Sequence, residues 1–368
     1  MNLELGLEKL STYAASLISA CRKPAFDGTV LFTPDGVGNY DALWTRDFGY
    51  MVEYCSDLMD VHEIRSCIEY VIYRAREDGW MPDRCELGGE AVYAAGAKGS
   101  PVGRANLDNT PFLVFAVYYY FRMIGQENAA GHFTLWADAL DRGMACIPLN
   151  SEGLVWNDDA DPHSPYGFTD TVCKTGRLFM ESVLFWRACR MMQELHNCVG
   201  NRVRAEMYGD CSQKIESSIS VLFDPKQGAF LAADGHCRQT DVWGMLYLLA
   251  VDFPLEDSIR NCVVKWLLEN RDRYLYKGQV CQLPDGEPWE KLLIEVPAGE
   301  YQNGAYWGTA SGWALRFFRK YDRDFAEEML DALLEDFESH GICECINEGY
   351  RKLPQFVVSA TNSRGGLL

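Results

Sequence analysis

Asn157-Asp158-Asp159-Ala160-Asp161-Pro162-His163-Ser164-Pro165-Tyr166-Gly167-Phe168-Thr169-Asp170 is an acid-rich, aromatic-bearing stretch broken by Pro and Gly. It runs directly into a segment over 176–198 whose apolar residues recur at helical spacing. Carboxylates crowded onto a loop at a helix entrance resist joint ionisation, so at least one holds a proton near neutral pH. The same succession recurs along the chain: a long polar and aromatic loop, a helix, a short turn, then a second helix.

Working outward from that stretch, three- and four-residue apolar spacing predicts helices over 2–21, 62–77, 111–125, 176–198, 200–222, 239–251, 255–270, 305–321 and 324–339. Weaker patterns add 47–58, 131–146 and 357–368, about twelve helices in all. Short turns such as Gly125-Gln126-Glu127-Asn128 and Cys198-Val199-Gly200-Asn201 pair them into hairpins. Strand signals are few: Thr29-Val30-Leu31-Phe32, Gly153-Leu154-Val155-Trp156 and Ala229-Phe230-Leu231. The long connections are 22–45, 80–110, 147–175, 224–238, 272–303 and 340–356. In a ring of hairpins alternate connections fall on opposite ends, so these loops gather on one rim, and long irregular loops are usually kept for function. No linker or composition shift divides the chain, which predicts one domain over 1–368.

The net charge of −19 argues against nucleic acid or an anionic membrane surface as partner. No run of eighteen uninterrupted apolar residues is present, so no membrane span is expected. The segment Met1-Asn2-Leu3-Glu4-Leu5-Gly6-Leu7-Glu8 lacks the order of a signal peptide. Of the fourteen cysteines, Cys67, Cys189, Cys198 and Cys262 fall at apolar helical positions, and no CxxC pair occurs. Reduced thiols in a cytoplasmic protein are expected. Six histidines without a His-x-x-x-His pair predict no metal site, and no cofactor is expected.

The loops that enter helices carry the chemistry. Tyr40-Asp41-Ala42-Leu43-Trp44-Thr45-Arg46-Asp47-Phe48 could cap a helix through Arg46 and Asp47. The same residues suit a sugar better, with Trp44 covering a pyranose face and Arg46 and Asp47 bonding vicinal hydroxyls. Asn106-Leu107-Asp108-Asn109-Thr110-Pro111 offers Asp108, as ligand contact or as a cap alongside Thr110. In the acidic loop Asp159, Asp161, Tyr166 and Lys174 are candidate contacts; Tyr166 and Phe168 are apolar neighbours of the kind that raise a carboxyl pKa, as a general acid requires. Gln239, Asp241 and Trp243 stand at another helix mouth, and Glu300, Tyr301, Gln302, Asn303 and Trp307 at the next. Cys343-Glu344-Cys345-Ile346-Asn347-Glu348 supplies the last acidic cluster. Trp186, Trp266, Trp313, Phe112, Phe115, Tyr118, Tyr119 and Phe121 read as helix packing, Arg187 and Arg190 as surface charges, and His163 as a loop hydrogen bond.

Trp-Thr-Arg-Asp at 44–47 and Tyr-Gln-Asn-Gly-x-x-Trp at 301–307 resemble motifs of the six-hairpin glycosidase superfamily, which includes glucoamylase, trehalase and neutral invertase. The resemblance spans about residues 40 to 360. It implies an all-α (α/α)6 toroid with long loops on one rim, and a glycoside hydrolase, inverting and exo-acting on short oligosaccharides or small glycosides. Asp170, six residues before Gly176, matches the spacing of the general acid in neutral invertases. Glu344 stands where the trehalase and invertase patterns place the general base, although Cys345 and Ile346 replace their aromatic residues. Asp159, Asp161, Glu300 and Glu348 are rivals for the two roles. An inverting disaccharide phosphorylase and a non-catalytic carbohydrate-binding protein on the same barrel are the alternatives. The expected partner is a small saccharide, with the chain a monomer or homodimer.

Overall fold

A computed structural model describes residues 2–97 and 100–368; within the long connection 80–110, Lys98 and Gly99 lie outside the described residues, as does Met1. Among the described residues there are twelve α-helices: α1 (Leu3–Ala20), α2 (Thr45–Cys55), α3 (Val61–Ile72), α4 (Asn109–Ile124), α5 (Gln126–Ala145), α6 (Phe179–Cys198), α7 (Arg202–Ser218), α8 (Val242–Ala250), α9 (Asp257–Glu269), α10 (Ser311–Tyr321), α11 (Arg323–His340) and α12 (Val357–Gly365). Each coincides with a predicted segment. The largest shifts are at the starts of α5 and α10, the latter because Tyr306–Trp307 is a strand, and at the end of α3.

Burial sorts the helices into two rings. Every residue of α8 and α12 is buried, whereas α9 buries only Val263 and Leu267. Helix α7 buries one stripe, Ala205, Tyr208, Gly209, Ser212 and Ile215. A helix buried on all sides belongs inside, and one that buries a single stripe lies against it from outside. Contacts follow that rule: α2, α4, α6, α8, α10 and α12 touch in sequence, and α12 returns to α2 to close the inner ring. Helix α1 packs on α12, α3 and α5 on α4, α7 on α6, and α11 on α10. This is an (α/α)6 barrel.

Helix α12 is polar in sequence yet wholly buried, and its side chains are paired internally. Ser359 Oγ donates to Cys343 O at 2.8 Å, Asn362 Nδ2 to Thr309 O at 3.1 Å, and Arg364 pairs with Asp57 at 2.6 Å. Its close approach to α10 depends on Gly312 of that helix, where a Cβ would overlap the Asn362 carbonyl.

Aromatic rings plug the bore. Phe168 stands 5.6 Å from Trp307 and 6.3 Å from Tyr50 between ring centroids, and Trp313 stands 5.7 Å from Trp243. Trp186 and Trp313 are core, while Trp266 is half-buried. Arg187 corrects its surface assignment: it pairs with Glu53 at 2.6 Å and stacks on Phe115, in a mostly buried cluster with Tyr119 and Tyr247.

The rim loops hold more strand than periodicity predicts. Leu275–Tyr276, Gln279–Cys281, Tyr306–Trp307, Cys343–Asn347 and Tyr350–Pro354 form one antiparallel sheet in that order. Segment 340–356, expected as a loop, is therefore a hairpin. Two- to five-residue strands are too short to reveal alternation in sequence. A second sheet joins Ala42–Trp44, Arg84–Glu86 and Ala91–Val92.

Candidate active site

At the rim a narrow cavity of about 40 Å³ opens between Tyr40, Trp44, Asp47, Asp170, Tyr301 and Glu344, over Phe168 and Phe356. A water needs roughly 10–15 Å³ of such space, so the cavity holds water as it stands, and a sugar ring enters only as the bordering side chains part. Larger clefts exist, one of about 890 Å³ beside Arg84 and Tyr93. Only the rim cavity, among those described, gathers three carboxyls with raised pKa values, a mark of functional sites.

Asp170 follows the short turn Gly167–Thr169 and keeps part of its surface open to the cavity. Burial pushes its pKa up to about 7, against the opposing pull of the Arg46 charge and of a hydrogen bond from Gln302. Asp47, in the first turn of α2, is pushed up to about 8 by burial, again against Arg46. Burial also raises Glu344, opposed by Lys352 and by the Tyr40 hydroxyl. Tyr40 donates to Glu344 Oε1 at 3.0 Å, while Lys352 Nζ lies 3.3 Å from Oε2, which receives no hydrogen bond. The site thus contains two carboxyls, Asp47 and Asp170, that keep a proton near neutrality, and a third, Glu344, also raised by burial, whose charged form is favoured by the cation beside it.

The loop carrying Asp170 is clamped. Gln302 Oε1 accepts from Thr171 N at 2.9 Å and Thr171 Oγ1 at 2.8 Å, and its Nε2 donates to Gly167 O at 3.1 Å and Asp170 Oδ1 at 2.8 Å. Beneath the loop, Arg46 Nε donates to Asp108 Oδ2 at 2.9 Å and Nη2 to Asp83 Oδ1 at 2.5 Å. Asp108 Oδ2 also accepts from Gly167 N at 3.0 Å. A Cβ on Gly167 would overlap the Arg46 guanidinium, so glycine is required there by close approach. Neither Asp47 nor Asp108 caps a helix: the residue preceding α2 is Trp44, and no side-chain cap bond forms at the start of α2 or α4.

The remaining candidates divide by position. Trp44 borders the cavity, and its indole N–H is buried without a partner, a donor free for a ligand. Tyr301 is held at φ +43°, a left-handed conformation that a bulky residue adopts only under constraint. Trp243 and Trp307 lie in the core below, donating to Val280 O and Tyr301 O. Tyr166 is buried against Tyr50, with their hydroxyls 2.8 Å apart. Lys174 pairs with Glu181 at 2.5 Å in the interior. Asp241 caps α8 by accepting from Gly244 N, and Gln239 braces 288–290 by bonding Pro288 O and Glu290 N. Asn303 bonds Trp289 N and Val296 O.

Of the rivals for acid and base, Asp159 pairs with Lys291 and His236 on the surface, and Asp161 lies 3.9 Å from Arg104. Glu300 belongs to the 300–303 turn, and Glu348 is exposed beside Asn347. None of the four lines the cavity. His163 bonds Ala105 O at 2.9 Å. Tyr40, Asp83 and Lys352 belong to the site or its support without having been expected there. Tyr40 stands within the quoted Trp44 segment, whereas Asp83 and Lys352 carry no local signal.

Comparison with known proteins supports the fold. No family model matches the chain, and no curated protein matches it by sequence. Its structure is similar to a rhamnosidase from Klebsiella oxytoca with rhamnose bound, at 12% identity and TM-score 0.68, covering 98% of this chain and 63% of that one. It is similar to a GH63 mannosylglycerate hydrolase from Thermus thermophilus in complex with glucose, at 14% identity and TM-score 0.67, covering 97% and 99%. Glucoamylase from Saccharomycopsis fibuligera aligns over 100% of this chain and 95% of its own, at 14% identity and TM-score 0.65. The chain shares the (α/α)6-barrel fold of these glycosidases. Among the described residues, no helix is long and apolar enough to cross a membrane.

Proposed function

We propose that this chain is an inverting glycoside hydrolase that removes a terminal sugar from short oligosaccharides or small glycosides. The observation that carries the reading is one cavity lined by both Asp170, protonated up to about pH 7, and Glu344, charge-paired with Lys352. Fold alone does not establish activity; these side chains support it.

In the proposed reaction Asp170 gives its proton to the glycosidic oxygen as the bond to the anomeric carbon breaks. Ionised Glu344 takes a proton from a water whose oxygen bonds to that carbon from the other face. One water is consumed; Asp170 ends ionised and Glu344 protonated, and exchange with solvent restores both. Asp47, neutral below about pH 8, and the unpaired Trp44 N–H hold sugar hydroxyls. Phe168 and the rings packed on it close the bore beneath the cavity, so a saccharide can enter from one side only, which favours a chain end over the interior of a polymer.

The phosphorylase alternative needs cations free to receive phosphate. Here Arg46 is engaged by Asp83 and Asp108, and Lys352 by Glu344, which favours water as the nucleophile. The test is a screen of disaccharides and nitrophenyl glycosides, with NMR detection of the first-formed anomer, on the native chain and on Asp170→Asn and Glu344→Gln. Hydrolysis with inversion, lost in both variants, is expected. Retention of configuration, or near-native turnover in either variant, refutes the assignment.

A further inference from the structure

A second cleft, of about 410 Å³, lies where α8 and α10 end. Helix α12 begins beside the rim cavity at Phe356, and its C-terminal neighbour Gly366 accepts a bond from Arg319, so this cleft is at the far end of the barrel. Arg260, Arg316, Arg319 and Lys320 line it, with Asp252 the acidic side chain present and Leu368 at its border. Among the described residues none of the four cations forms an ion pair with a carboxylate side chain. That is unusual in a chain of net charge −19, where acidic partners are abundant.

Neutralising helix C-termini accounts for part of this charge. Arg316 donates to Ala250 O at 2.9 Å, Arg260 to Phe253 O at 2.7 Å and Arg319 to Gly366 O at 2.7 Å. Each guanidinium carries five donors and spends one on a carbonyl, which fixes it in place and leaves most of its capacity unused. Arg319 is held below the ordinary arginine range by burial and by Arg316 and Arg323, so the mutual repulsion is unrelieved.

We propose that this cleft binds a small phosphomonoester, its phosphate among Arg260, Arg316, Arg319 and Lys320 and its organic body against Leu249 and Phe317. Planar guanidinium forks match phosphate oxygens, and clustered cations suit a dianion better than a single carboxylate. The apolar wall distinguishes an ester from the free ion. The site is separate from the rim cavity and does not depend on the reaction proposed there.

Isothermal titration calorimetry of the full chain at fixed ionic strength tests this, with phenyl phosphate and inorganic phosphate as probes. Saturable binding of both is expected, tighter for phenyl phosphate. Arg316→Glu and Lys320→Glu, each an exposed position whose change leaves the core intact, are each expected to weaken it by about tenfold or more. Asp170→Asn is expected to bind as the native chain does. The proposal is overturned by absence of saturable binding, by phenyl phosphate binding no tighter than inorganic phosphate, by undiminished affinity in both charge reversals, or by loss of binding in Asp170→Asn.

Discussion

Replacing Asp170 by Asn should abolish turnover and at the same time stabilise the protein. In the unfolded chain the carboxyl ionises at its ordinary 3.8, whereas in the folded chain it keeps its proton up to about 7. Between those values the unfolded state has released a proton that the native state retains. Native stability therefore falls as pH rises through the window and levels off above it. At about 1.36 kcal/mol per pKa unit, the cost reaches about 4 kcal/mol as an upper bound at pH 8. Asn removes the titration, and its Oδ1 can still accept the Gln302 hydrogen bond now made to Asp170. Urea unfolding of both proteins at about pH 4 and about pH 8 measures the difference. Near equality at the lower pH, with a gain of about 2–4 kcal/mol for the variant at the higher, is the expected result. A variant no more stable at the higher pH, relative to the native chain, would refute the claim that Asp170 is held neutral by burial.

Three further outcomes follow from the clamp and the base. Gln302→Met removes a donor that holds the Asp170 pKa down, so the basic limb of the kcat/KM profile should move up by about one pH unit. An unmoved limb would detach Gln302 from the acid. Tyr40→Phe removes a hydrogen bond that favours the charged form of Glu344; the acid limb should move to higher pH, with near-UV circular dichroism little changed. Gly167→Ala forces a methyl group into the Arg46 guanidinium and should cost about 1–3 kcal/mol in urea unfolding, with turnover falling as well; a silent substitution would mean that the loop shifts freely.

The helices were legible because each presents several turns of periodic apolar residues. Even the polar segment 357–368 yielded α12 approximately, although nothing in its Ser, Thr and Asn content marks it as a wholly buried helix of the inner ring. The rim sheet was not legible, since its strands take their register from partners far away in sequence, such as Trp307 opposite Cys345. Trp44, Asp47, Asp170, Tyr301 and Glu344 do border one cavity. Trp243 and Trp307 carry the same residue type at the same kind of helix mouth, yet face the core, because which side of a turn meets the bore is decided by ring closure. Gln302 and Asp108 were expected to touch ligand, and instead hold the loop that borders the cavity. Sequence placed them near the site, but hydrogen-bond direction is a tertiary property.

Closure of the inner ring by α12 has a consequence for biosynthesis. Arg364 donates to Tyr54 O across 310 residues of chain, and Glu344 and Phe356 complete the cavity wall. At typical elongation rates the early hairpins wait roughly 15–60 s before their last neighbour is made. During that interval the sides of α2 and α1 destined for α12 have nothing to cover them. Until α12 is made, the inner ring stays open between α10 and α2.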